Sequence, residues 1–139
     1  MAINFYAEQT AMPSLKKTET KEWIKRVAAE YGKKPGDISY IFCDDAKILE
    51  VNQTYLQHDY YTDIITFDYT EGDRISGDLF ISVDTVRSNA EQFGEKFDRE
   101  LHRVIIHGIL HLCGIDDQSP EERAHMIECE NKALALMTV

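Results

Sequence analysis

Two histidines four residues apart, His107 and His111, lie in the apolar run RELHRVIIHGILHLC at 99–113, and Asp116 and Asp117 follow just after Gly114. On a helix, residues four apart share a face, with Cβ atoms about 5–6 Å from one another. That is the reach a tetrahedral ion needs from two imidazoles. Gly114 can release the chain from the helix, and a turn there can bring the Asp117 carboxylate back to the same point. Two imidazoles and one carboxylate leave a fourth coordination position open, the pattern of a catalytic zinc site rather than a closed structural one. The spacing therefore points to one Zn²⁺ per chain on His107, His111 and Asp117. Burial favours this reading, because imidazoles inside an apolar helix need polar partners and an ion supplies one for each. The alternative is that the pair is simply packed and Asp117 only caps the next helix; short spacings match by chance, and residue types alone leave both open.

The neighbours refine the chemistry. Gly108 allows another element to pack close beside His107, and it stands where a HExxH hydrolase carries its glutamate base. Asp116 is a candidate to accept a hydrogen bond from a ligand imidazole or to steer the attacking water, with helix entry as the competing role. Arg103, one turn before His107, can meet an anionic substrate, but pairing with Glu100 or another acid is the simpler expectation. Cys43, Cys113 and Cys129 read as core thiols. His58, His102 and His125 have no second donor at a useful spacing and are expected at the surface. The segment NQTYLQHDYYTDIITF at 52–67 gathers Asn52, Asp59, Thr62 and Asp63 between a helix and a strand. These residues satisfy loose amides in a turn, or they form one wall of a cleft facing the metal.

The elements that must hold these groups can be read from periodicity. Strands are expected at 2–7, 38–43, 64–67 and 78–82, with TEGDRISG at 70–77 as a hairpin connection between the last two. Helical spacing of Trp23, Ile24, Val27, Ala28 and Tyr31 predicts a helix over 15–31, ended by Gly32. Asp44 or Asp45 can cap a helix through Ile48, Leu49, Val51 and Leu56. Further helices are expected from Asp84 to the break at Gly94 and over 99–113, the latter apolar around most of its circumference and so buried. The final helix has the clearest start: Ser119 as N-cap, Pro120 in the first turn and Glu122 closing a capping box. Ile127, Leu134 and Met137 are its expected core face. These elements suggest one domain over 1–139, an α/β sandwich with a mixed, mostly parallel sheet of about four strands packed by helices.

With 139 residues, 43% of them hydrophobic, the chain can build one real core. Three cysteines without a CxxC pair fit a reducing compartment. The N-terminal MAINFYAEQT lacks a secretory signal and no apolar run suits a membrane, so the cytoplasm is expected. A net charge of −10 repels phosphate on average and argues against general nucleic-acid affinity. It does not exclude RNA as a substrate where an ion sits beside the scissile phosphate.

Taken together, these residues resemble the YbeY family of endoribonucleases and ribosomal RNA maturation factors. The family signature H-G-x-L-H-L-x-G-x-D-H matches His107 to Asp116 of this sequence and departs only at the last position, where Asp117 replaces the third metal-binding histidine. Carboxylate is an acceptable zinc ligand. The family stretch N-x-x-[YF]-R-x-x-D-x-P-T-D-V-L-S-F falls on Asn52, Tyr55, Asp59, Thr62, Asp63 and Phe67, with Tyr61 where proline is usual. Leu56 stands where the family has an arginine assigned to phosphate binding or catalysis, so that role is not carried over. Gly77 to Ser82 (GDLFIS) resembles the family's G-D-I-x-I-S strand.

The resemblance implies a zinc-dependent hydrolase cleaving ribosomal RNA, with the ribosomal subunit and ribosome-associated proteins as partners, no membrane and no DNA. Two other readings compete: a metallopeptidase, which Gly108 disfavours, and a non-catalytic ribosome-assembly factor with a structural metal, which Leu56 and the acidic charge favour.

Overall fold

A computed structural model describes residues 2–56 and 63–137, with the side chains of Tyr55 and Leu56 outside that description. The chain runs β1 (Ile3–Ala7), α1 (Lys17–Glu30), β2 (Lys34–Cys43) and α2 (Asp45–Val51), which continues as a π-helical turn over Asn52–Leu56. Then come β3 (Ile64–Asp68), β4 (Arg74–Ser82), α3 (Val83–Phe93), α4 (Phe97–Leu112) and α5 (Pro120–Ala135). The sheet order is β1-β2-β4-β3, parallel except for the antiparallel β3–β4 pair. This is the mixed, mostly parallel four-stranded sheet expected.

Residue pattern explains the layers. β1 alternates, with Ile3 and Phe5 buried and Asn4 and Tyr6 exposed, as an edge strand covered on one face does. β2 lies between β1 and β4 and is buried on both faces, so Ile38, Tyr40, Ile41, Phe42 and Cys43 read as a continuous apolar run. One face packs Ile38, Tyr40, Phe42, Leu79 and Ile81 into the main core with α1, α3, α4 and α5. On the other face α2 contributes Ile48 and Val51 to a smaller cluster with Cys43 and Ile65.

α4 is the centre of the main core, with Leu101, Val104, Ile105, Ile106, Ile109 and Leu110 all buried. The Tyr40 hydroxyl donates to the Ile105 carbonyl at 2.9 Å, and Trp23 Nε1 of α1 donates to the Ala133 carbonyl of α5 at 2.7 Å. Buried polar tips thereby lock the sheet to α4 and α1 to α5.

Several boundaries differ from expectation. β2 begins at Lys34, with an irregular register between Pro35 and Ile38, and β4 begins at Arg74 because it pairs with that extension. The hairpin connection is correspondingly short, with Glu71 bridged to Arg74. α1 and α4 start after Lys16 and Lys96, neither of which makes a side-chain cap, so no local signal marks those starts. Asp44 caps α2, accepting from Lys47 N at 2.9 Å. Ser119 and Glu122 form the expected capping box.

Two burial assignments are corrected, His102 expected at the surface and Ile127 expected in the core. His102 is buried against Trp23, its Nδ1 donating to the Asp98 carbonyl at 2.7 Å. Ile127 is 48% exposed, and the inward face of α5 is instead Met126, Cys129, Glu130, Ala133 and Leu134. His125 is exposed as expected, and His58 lies outside the described residues. Cys43 and Cys129 are buried, and Cys113 packs partly buried against the core.

Candidate metal centre

The site lies at the C-terminal end of α4 and is fixed by two glycines. A Cβ on Gly108 would lie 2.1 Å from Leu79 Cδ2 and 3.0 Å from Ile64 Cδ1. Only a glycine lets α4 come this close to β3 and β4, which seats His107 beside the sheet. Gly114, at φ +98°, is in the left-handed region that glycine adopts without steric cost. Its amide donates to the His111 carbonyl and that of Ile115 to the Leu110 carbonyl, a Schellman closure with Ile115 packed on the core.

That reversal returns Asp117 to the helix it has just left. Asp117 Oδ2 stands 3.3 Å from His107 Nε2. The other ring nitrogen, Nδ1, is 2.7 Å from Glu130 Oε2 of α5. A carboxylate only accepts, so Nδ1 carries the hydrogen of this bond, and Nε2 faces Asp117 as a lone pair in the neutral ring or as a second donor in the protonated one. His111 is one turn further along, half-buried, and its imidazole makes no hydrogen bond or ion pair with the described residues. Among the described residues no three His, Cys, Asp or Glu side chains close on one point. The structure thus brings together His107 and Asp117 and leaves His111 alongside. Asp116 is exposed, and its carboxylate makes no hydrogen bond to either imidazole among the described residues.

Behind His107 lies a buried charged group that the local spacing did not reveal. Glu130 Oε1 accepts from Arg103 Nη1 at 2.8 Å, and Arg103 Nη2 donates to Asn131 Oδ1 at 2.9 Å. The acid expected to pair with Arg103 is therefore Glu130. The trace it leaves in the sequence is a charged residue on the apolar stripe of α5, between Met126 and Leu134.

Asp63 and Glu100 complete the acidic surroundings. Burial pushes the Asp63 pKa up against the pull of His107, and burial likewise raises Glu100 against the pull of Arg103. For His107, burial disfavours the imidazolium, but Glu130, Asp63 and Asp117 together outweigh it and its pKa lies above the ordinary histidine value. Asp63, named earlier as a turn residue or cleft wall, is thus in electrostatic reach of His107. Asp59, Tyr61 and Thr62 of the same segment lie outside the described residues.

A family model described as endoribonuclease YbeY matches residues 3–138. The chain belongs to the YbeY family. A YbeY endoribonuclease of Bacteroides thetaiotaomicron is 70% identical over 136 residues, covering 98% of this chain and 99% of the relative. The Phocaeicola vulgatus member is 71% identical over 137 residues, covering 99% of each chain. The Porphyromonas gingivalis member is 55% identical, covering 97% of this chain and 89% of its own length. The solution structure of a Thermotoga maritima protein, 29% identical, superposes with a TM-score of 0.69 over 96% of this chain and 87% of that one. The α/β architecture that positions His107 is therefore shared with a solved relative.

Proposed function

We propose that this YbeY-family chain is a zinc-dependent endoribonuclease that hydrolyses phosphodiester bonds in ribosomal RNA, with the ion held by His107, His111 and Asp117. One observation carries the metal assignment. With Nδ1 committed to Glu130, Nε2 of His107 faces a carboxylate oxygen of Asp117 at 3.3 Å. That gap suits a cation, which is a proton on Nε2 when the ring is charged and can equally be a metal ion when the ring is neutral. The donor set also fits: imidazole nitrogen and carboxylate oxygen are ordinary zinc ligands, and His111 needs only to turn toward the same point from the same helix face.

When bound, the ion supplies Lewis acidity, making water acidic near neutral pH and offsetting charge on phosphoryl oxygens. The chain's residues do the rest. His107 presents Nε2 in a fixed direction, and Asp117 closes the site from the turn after Gly114. Asp116, exposed beside Asp117, is the carboxylate we assign to steer the attacking water. Gly108 occupies the place of a peptidase's glutamate, and its closeness to Leu79 leaves no room for one. That favours RNA over peptide hydrolysis. The partners follow as ribosomal RNA and the ribosomal subunit, with ribosome-associated proteins in attendance. We assign the protein to the cytoplasm, which the free thiols of Cys43, Cys113 and Cys129 support. No helix among the described residues is long and apolar enough to cross a membrane.

The test measures metal content by elemental analysis and cleavage of labelled ribosomal RNA fragments for wild type and for His107→Ala with His111→Ala. The wild type should hold close to one ion per chain and cleave the RNA, and the double variant should lose both. Leu56→Arg should raise activity and steepen its salt dependence, because a guanidinium adds a charge-assisted contact to phosphate. Equal cleavage by wild type and the double variant would mean a contaminating nuclease, leaving an assembly factor as the better reading.

A further inference from the structure

We propose that Glu130 is a positioning residue for the metal centre, anchored by Arg103, that fixes His107 as the Nδ1–H tautomer so that Nε2 is its coordinating atom. The proposal rests on the reading that His107 is a ligand, and it assigns a role to two residues outside the 107–117 motif.

The geometry carries it. Glu130 is buried on the inward face of α5, where the neighbouring positions are Met126, Cys129, Ala133 and Leu134. A carboxylate in that place is costly unless both oxygens are satisfied. Each oxygen has one donor: Oε1 takes the Arg103 guanidinium at 2.8 Å and Oε2 takes His107 Nδ1 at 2.7 Å. Arg103 and His107 lie one turn apart on α4, so the carboxylate bridges two successive positions of a single helix face. The second guanidinium nitrogen is held by Asn131 at 2.9 Å, next to Glu130 itself. Arg103 thereby stops the carboxylate from rotating away, and the imidazole plane is held from behind while its other nitrogen faces Asp117.

A carboxylate accepting from the far nitrogen of a ligand imidazole sets the tautomer and raises the basicity of the coordinating nitrogen. The arrangement here is asymmetric. His107 has such a partner, whereas the His111 imidazole has none among the described residues. His107 is the preset ligand and His111 the one that adjusts.

Glu130→Gln separates positioning from packing, because it keeps the shape but replaces two acceptor oxygens with one. The amide oxygen can accept from Arg103 while its nitrogen donates to Nδ1 of a His107 that keeps its hydrogen on Nε2, or it can accept from Nδ1–H and leave the guanidinium facing an N–H. Two readouts apply. In metal-free protein in alkaline buffer, long-range ¹H–¹⁵N spectra should show His107 as a single Nδ1–H tautomer in wild type and as a mixture in Glu130→Gln. Zinc affinity, from competition with a chromophoric chelator, should fall by about 10–100-fold in the same variant. Adding Arg103→Met to Glu130→Gln removes the donor that holds the amide oxygen, so the share of the Nδ1–H tautomer should rise while affinity stays below wild type. Should Glu130→Gln alone fail to fold, this double variant still decides the matter. A single Nδ1–H tautomer in Glu130→Gln, or zinc affinity equal to wild type in both variants, would overturn the proposal. Failure of the wild type to bind zinc would instead refute the ligand reading, and the tautomer spectra would still decide whether Glu130 orients His107.

Discussion

Gly108→Ala tests whether α4 truly lies against the sheet as closely as the site requires. In an exposed helix interior this change stabilises by about 1 kcal/mol, because alanine loses less backbone entropy. Here the added methyl would start 2.1 Å from Leu79 Cδ2, which must retreat by about 1.3 Å to reach ordinary contact at 3.4 Å. Leu79 is fully buried in β4, so the retreat displaces further core atoms or lifts α4. Overpacking of that kind costs about 1–3 kcal/mol or more. The steric cost should exceed the entropic gain, leaving a net loss of up to about 2 kcal/mol in urea unfolding, with the slope unchanged. Leu79→Val removes the obstructing methyl, so the same alanine should cost less in that background, with a favourable coupling of about 1 kcal/mol. Because Gly108 adjoins His107, any lift of α4 should also widen the approach of His107 to Asp117 and weaken zinc binding. A Gly108→Ala protein as stable as wild type, or more so, would refute the close approach and the reason given for a glycine there.

Two further outcomes follow from the same site. Asp117→His should keep the ion, since imidazole and carboxylate both reach zinc at about 2.0–2.2 Å, whereas Asp117→Ala should weaken binding in a chelator competition; unchanged affinity with alanine would make Asp117 a helix-entry residue. Glu100 titrates above the ordinary glutamate value of 4.5 because it is buried, so the native state holds its proton more tightly than the unfolded chain. Its contribution to stability is therefore full below pH 4.5 and lost as pH rises through the raised native value. Relative to Glu100→Gln, wild type should gain stability as pH falls through the raised native value toward 4.5 in urea titrations; a difference that stays constant with pH would sink this account.

What could be read from the sequence, and what could not, divides by how far apart the cooperating residues lie. The capping box at Ser119 and Glu122, the Asp44 cap and the Gly114 reversal are each settled within a few residues, and all three stand where expected. The purpose of Gly108 was legible in kind, as close packing, but not in partner, because Leu79 and Ile64 come from other elements. The early starts of β2 and β4 depend on their pairing with each other, which no periodicity within one strand records. Ile127 and Leu134 are seven apart and so satisfy a helical repeat, yet the true inward face of α5 is rotated toward Met126 and Glu130. That rotation decides where the candidate site was incompletely seen. The spacing of the proposed ligands is local, because one helix and one turn carry His107, His111 and Asp117. Glu130, which we propose orients His107, reaches it from a helix 23 positions further on, and Arg103 braces Glu130 from 27 positions before it. Its only local sign is an acid among apolar neighbours, and in an acidic chain of net charge −10 such an acid looks ordinary until the inward face of its helix is known. A charge on a stripe that must be buried is costly enough to require partners, and here those partners are the Arg103 guanidinium and the His107 imidazole.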